Sequence, residues 1–304
     1  MTTVFLSLAA IVLIGSLLQR LFPGWNVEDF RRSINQLVLH VLLPALIFKV
    51  LVTSDLGDEL VAVPLAMAAG IGACLAVALP LFAWLPIANA AKGALVLACA
   101  FGNVTYLGLP VLQGVFPGAP LDAAKVAVLC EVTVAPLNLV VGSLLAMRFG
   151  DQGGGLGQSL RQLLRLPPLW ALAAALACNL LRVPVPEFAL HAAGVLGNAV
   201  SGLMVLSLGM ALRAQRLAHP GLLLAAGGIK LLLCPLVVFA AASALALRAP
   251  YLEAVTLEGA MPTQLLTLVI ADRYRLDGKL LAQAILLNTV AAFVAIPLVR
   301  MLWF

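Results

Sequence analysis

Two stretches decide how this chain folds: FGNVTYLGLPVL at residues 101–112 and LEGAMPTQLLTL at residues 257–268. Each lies in a long apolar run, yet each carries a proline with polar side chains beside it. Asn103, Thr105 and Tyr106 accompany Pro110; Glu258, Thr263 and Gln264 accompany Pro262. A proline within a helix removes a backbone donor and clashes with the preceding turn. At membrane depth, backbone freed in this way is tolerated only where protein or a water-filled cavity satisfies it. The two prolines stand 152 positions apart, half of the 304-residue chain. The spacing predicts two interrupted helices, at matching places in two halves, that cross each other.

The rest of the sequence places these stretches in lipid. Hydrophobic residues make up 63% of the chain and charged residues 10%, a balance that excludes a water-exposed globule. At roughly 20 apolar residues per crossing, the apolar runs give ten spans, starting near residues 3, 34, 60, 93, 121, 168, 188, 222, 251 and 281. The N-terminal run has no positive n-region and is longer than a signal-peptide core, so it reads as an uncleaved first span. The longest non-apolar stretch, RFGDQGGGLGQSLRQLLR at 148–165, contains Gly153 to Gly155 and reads as a flexible linker at the midpoint. The organisation expected is a first repeat over 1–147, a cytoplasmic linker over 148–167 and a second repeat over 168–304.

Positive residues flanking short loops stay in the cytoplasm. Loops after odd-numbered spans hold twelve of them: Arg20, Arg31, Arg32, Lys92, Arg148, Arg161, Arg165, Arg213, Arg216, Arg273, Arg275 and Lys279. The other side holds five, namely Lys49, Lys125, Arg182, Arg248 and Arg300. Both termini are therefore expected outside the cytoplasm, in a multi-pass protein of the cell (inner) membrane. Five spans per half is an odd number, so the halves enter the membrane in opposite senses, the topology of inverted-repeat carriers.

The basic residues are scattered, without the clustered stripe that nucleic-acid binding requires. Cys74, Cys99, Cys130, Cys178 and Cys234 fall inside apolar runs with no CxxC pair and no nearby histidine, so they read as packing residues and no metal site is expected. Enzymatic motifs are missing too: no serine in a GxSG-like turn, no intramembrane aspartate, no aspartate-rich motif and no GxxxxGK[ST]. No cofactor is implied.

What remains is the chemistry of the two breaks. A half-helix that begins within the membrane points unpaired N–H groups and a partial positive charge into the cavity, which suits an anion without a dedicated arginine. Asn103, Thr105, Tyr106, Pro110, Pro262, Thr263 and Gln264 are the expected substrate-binding residues. Glu131, about nine residues into its span, together with Glu258, Asn288 and Thr289, offers oxygens for a sodium- or proton-linked site. Glu131 pairing with Lys230 is the other reading, and spacing leaves both open. For Lys230 itself the alternative is a side chain that snorkels to the interface. An anion channel would need polar faces along several spans, and a receptor or scaffold an extramembrane signalling domain; the expected function is a secondary carrier of small organic anions.

FGNVTYLGLPVLQ, with LLPALIFKVLV, LMVLSLGMAL, KLLLCPLV and AMPTQLLTLVIADRYRLDGKLLAQAILLNTVAAFVAIPL, resembles the auxin efflux carrier family, which includes bacterial malonate-type carriers and PIN-FORMED proteins and shares a bile acid/sodium symporter-like fold. The resemblance covers nearly the whole chain. It implies ten helices with a scaffold (spans 1, 2, 6 and 7) and a moving transport part (spans 3–5 and 8–10), a homodimer and elevator-like transport. It also implies that Asn103 is the span-four asparagine and that Pro110 and Pro262 are the crossover prolines. The second repeat departs from the plant pattern: Gly259, Ala260 and Met261 precede Pro262 where an asparagine stands in those carriers. A second amide must come from elsewhere, with Gln264 as the candidate, and a carboxylate simpler than auxin is expected.

Overall fold

The computed structural model describes residues 2–22, 24–150, 156–211 and 217–304. Its helices are α1 (Thr2–Leu21), α2 (Val27–Thr53), α3 (Glu59–Ala83), α4 (Asn89–Ala100), α5 (Val104–Val115), α6 (Pro120–Phe149), α7 (Leu156–Leu163), α8 (Pro167–Leu180), α9 (Glu187–Ala211), α10 (Pro220–Ala244), α11 (Tyr251–Gly259), α12 (Leu266–Arg273) and α13 (Gly278–Trp303). Among the described residues there is no strand, only an isolated antiparallel bridge between Gly102 and Thr263. Among the described residues six helices, α2, α3, α6, α9, α10 and α13, are long and apolar enough to cross a membrane; α4, α5, α8 and the apolar part of α1 (Thr3–Leu18) are shorter. Leu6, Leu65, Val195, Leu232 and Leu302 lie exposed on their outer faces, as a surface solvated by hydrocarbon requires.

Helix ends depart from the hydropathy boundaries where capping outweighs polarity. Apolarity starts the second span near residue 34, yet α2 begins at Val27. The Asn26 side chain accepts from the Asp29 N–H (3.3 Å) and Glu28 pairs with Arg31 at 2.6 Å, so a polar first turn is held helical. The Gly153 to Gly155 segment lies outside the described residues, and Leu156–Leu163 within the expected linker is helical, as α7.

Among the described residues four π-helical turns interrupt the helices, at Val38–Leu42, Val104–Gly108, Asn138–Gly142 and Ile229–Leu233. Three of them run into Pro44, Pro110 and Pro235, two residues beyond the turn. A proline has no N–H for the carbonyl four residues back, and a wider turn accommodates the loss. Pro110 is therefore not where the first helix breaks. The chain leaves helical geometry at Phe101–Asn103, seven to nine positions earlier, and Pro110 lies within α5 directly after the π-helical turn that absorbs its missing donor. Pro262, by contrast, lies within the second break, between α11 and α12.

The chain divides into two compact units. One comprises Met1–Gly57, Thr105–Val128 and Arg165–Ala214. In it α1 packs on α9 through glycines: a Cβ on Gly15 would lie 2.4 Å from the Leu206 oxygen, and one on Gly209 2.2 Å from the Val12 oxygen. Such close backbone approach is what small residues allow between helices in lipid. Asn179 of α8 donates to the Leu51 and Ser54 carbonyls (2.7 and 2.9 Å), satisfying the end of α2.

The other unit comprises Asp58–Val104, Leu129–Leu164 and Gln215–Phe304. Here α10 packs on α3 and α11. Gly70 admits Val238, whose Cγ2 would lie 2.5 Å from a Cβ there, and Gly259 lies against Pro235. Arg300 of α13 bonds Glu253 of α11 at 2.5 Å, tying the last helix to the interrupted one.

Candidate functional site

Both breaks fall in this second unit and pair with each other. Phe101, which follows α4, has extended backbone (φ −102°, ψ 113°). Asn103 donates its N–H to the Pro262 carbonyl (2.7 Å) and Gln264 donates to the Phe101 carbonyl (3.0 Å), the two bonds flanking the Gly102–Thr263 bridge. Two residues from each break thus satisfy one another in place of helical bonds they gave up. The C-terminal ends of α4 and α11 both arrive here, with carbonyls that no intrahelical N–H can reach. Side chains answer them. Thr263 Oγ1 donates to the Ala98 carbonyl (2.6 Å), and the Lys230 ammonium donates to the Gly259 carbonyl (2.8 Å).

Asn288 of α13 joins this arrangement by donating its Nδ2 to Thr263 Oγ1 at 2.9 Å. Its Oδ1 faces Gly227 of α10, where a Cβ would stand only 2.7 Å away. Thr289 and Glu258 are fully buried, and neither the Thr289 hydroxyl nor either Glu258 oxygen has a hydrogen-bond partner among the described residues; nor has Asn288 Oδ1. Glu131 on α6 is half-buried, and it and Lys230 are the charged neighbours of Glu258.

Of the residues expected from sequence, Asn103, Pro262, Thr263 and Gln264 are joined at the bridge, with Asn288 bonded to Thr263. Thr105, Tyr106 and Pro110 belong to α5 and are grouped with the first unit. For Lys230 the sequence left an ion pair with Glu131 and an interfacial position open, and Asn138 it missed. Lys230 does not snorkel: it is 1% exposed, in the π-helical turn of α10, and among the described residues it forms no ion pair. Asn138, in the π-helical turn of α6, is fully buried with neither side-chain atom hydrogen-bonded among the described residues. Its Oδ1 and the Phe101 ring both border Gly142, 2.6 and 3.3 Å from where a Cβ would stand. The Nε2 of Gln264 is likewise without a partner among them. The signal for Asn138 was legible as a lone amide two residues after Pro136 in an apolar run.

Apolar helices interrupted within their length, with amide and charged groups gathered inside one unit, define a multi-pass membrane protein built around a polar centre. The chain belongs to the family described as membrane transport protein, which matches residues 1–147 and 156–300. Similar chains include an "Uncharacterized transporter" of Methanothermobacter thermautotrophicus, 28% identical over 98% of this chain and 96% of that one. Others are "Uncharacterized transporter MJ1031" of Methanocaldococcus jannaschii (25%, 89% of each chain) and "Uncharacterized transporter YfdV" of Escherichia coli K12 (24%, 89% and 88%). The family is one of transporters, not enzymes, and it bears out the resemblance carried by the 101–112 stretch.

Proposed function

We propose that the protein is a secondary carrier of small organic anions, with carboxylates as the substrate class. The observation that carries this reading is the paired break itself, where buried amide side chains surround non-helical backbone. Asn138 and Gln264 each keep an amide donor unsatisfied among the described residues, and burying such donors costs about 1–3 kcal/mol apiece. A carboxylate oxygen repays that cost, and a charge-assisted bond is stronger than a neutral one. Glu258, Asn288 and Thr289 are the oxygens for a coupling ion or proton, with Glu131 nearby.

Counted with α4–α5 and α11–α12 as single interrupted spans, the helices support ten crossings in two inverted halves, and alternating access of elevator type follows from that reading. Thermal unfolding of the purified protein against mono- and dicarboxylates identifies the ligand, since one that binds only the native state raises the midpoint. In liposomes that ligand is expected to show saturable uptake accelerated by unlabelled ligand inside; flux linear in concentration would overturn the carrier reading in favour of a channel.

The orientation proposed from the basic residues places both termini outside and the 151–155 segment inside. A single cysteine introduced there, on a background without the native cysteines, is expected to resist an impermeant maleimide in intact cells and to react after permeabilisation. Labelling in intact cells would reverse the topology.

A further inference from the structure

We propose that Lys230 is a tethered cation, standing at the crossing where an ion-coupled carrier holds sodium, so that this protein needs no sodium ion and, of the two coupling readings above, the proton remains. This rests on the carrier reading above. In carriers with broken helices, unwound carbonyls and half-helix C-termini are the groups that coordinate a transported cation. Here the corresponding carbonyl, that of Gly259 at the end of α11, is taken by the Lys230 ammonium at 2.8 Å. The ammonium also lies against the break in the other helix: a Cβ on Gly102 would come within 3.3 Å of both Nζ and Cε. Glycine at position 102 is what leaves it room. Its other polar neighbour is the Cys234 thiol, one turn further along α10.

Charge balance points the same way. Glu258, in the last turn of α11, is fully buried, and no hydrogen bond from the described residues reaches its carboxylate. An ionised carboxylate there costs several kcal/mol unless positive charge sits nearby. Lys230 supplies that charge from within the chain, and it cannot be exchanged with either side of the membrane. Lys230 is the second residue of the π-helical turn Ile229–Leu233, and from there its ammonium reaches the carbonyl that ends α11.

The test uses the full-length protein in detergent without substrate, comparing sodium chloride with choline chloride at equal ionic strength. The wild-type unfolding midpoint is expected to be the same in both salts. Lys230→Met, which keeps the length of the side chain and removes its charge, is expected to unfold several degrees lower in choline and to recover saturably as sodium is added. A wild-type midpoint that rises saturably with sodium, or a folded Lys230→Met that ignores it, overturns the proposal. Should Lys230→Met give no folded protein, the double variant Lys230→Met with Glu258→Gln removes both charges. It is expected to fold in choline and to ignore sodium, and a double variant that is no better than the single one equally overturns the proposal. Because no carboxylate is added, failure to find a carboxylate ligand would sink the substrate assignment and leave this result standing.

Discussion

Asn103→Asp is expected to lose binding of the best carboxylate ligand at neutral pH, while Asn103→Ala weakens it by about 1.5–3 kcal/mol, the range for a hydrogen bond to a charged partner. The backbone of Asn103 is fixed independently of its side chain, through the 2.7 Å bond to the Pro262 carbonyl, so both variants are expected to keep the paired break and the fold. Aspartate preserves size and replaces an amide donor with a negative charge in a buried place. The repulsion should remove binding altogether, where alanine only subtracts a bond. Affinities measured by thermal shift or calorimetry for the same ligand separate the two cases. An unchanged affinity in Asn103→Asp would exclude the side chain from the site and leave Asn138 and Gln264 as its amides.

The broken pair of helices was legible because a proline flanked by polar residues is rare in lipid-facing sequence and occurred twice at half-chain separation. Where each break falls was not, because proline marks the constraint rather than the discontinuity. Pro262 lies in its break, while Pro110 is absorbed by the π-helical turn at Val104–Gly108, and the chain parts at Phe101–Asn103. The glycine at 102 was the better indicator, since the bridge, the Lys230 ammonium and the Met261 carbonyl all crowd the position a Cβ would occupy. Hydropathy also could not distinguish a lysine that reaches the interface from one that caps an internal helix end. That difference depends on α11 ending against α10, a tertiary fact. The same π-helical turns carry His40, Tyr106, Asn138 and Lys230, so a polar residue four or five positions before a proline, as at His40, Tyr106 and Lys230, is a local pattern that sequence does show.

Thr263 is expected to be the position where the smallest chemical change costs the most stability. Its hydroxyl donates to the Ala98 carbonyl at 2.6 Å and accepts from Asn288 Nδ2 at 2.9 Å, so one oxygen joins the end of α4, the break after α11, and α13. Thr263→Val keeps the shape and strands both partners in a fully buried setting. Two unsatisfied groups cost about 2–6 kcal/mol by the usual range. The lower end applies in lipid, because polar groups in a membrane-inserted unfolded chain find other partners, and about 2 kcal/mol is the expected loss. Thr263→Ser gives up a methyl group and keeps both bonds, for a cost near 0.8 kcal/mol. The ordering, serine above valine in unfolding midpoint, is the decisive measurement, since packing alone would rank them the other way. If the loss in Thr263→Val comes from the stranded amide, then Asn288→Leu should already forfeit part of it, and the double variant should lose less than the sum of the two singles. Additive losses would mean that Thr263 and Asn288 act separately, and the tie between the break and α13 would have to run through other residues.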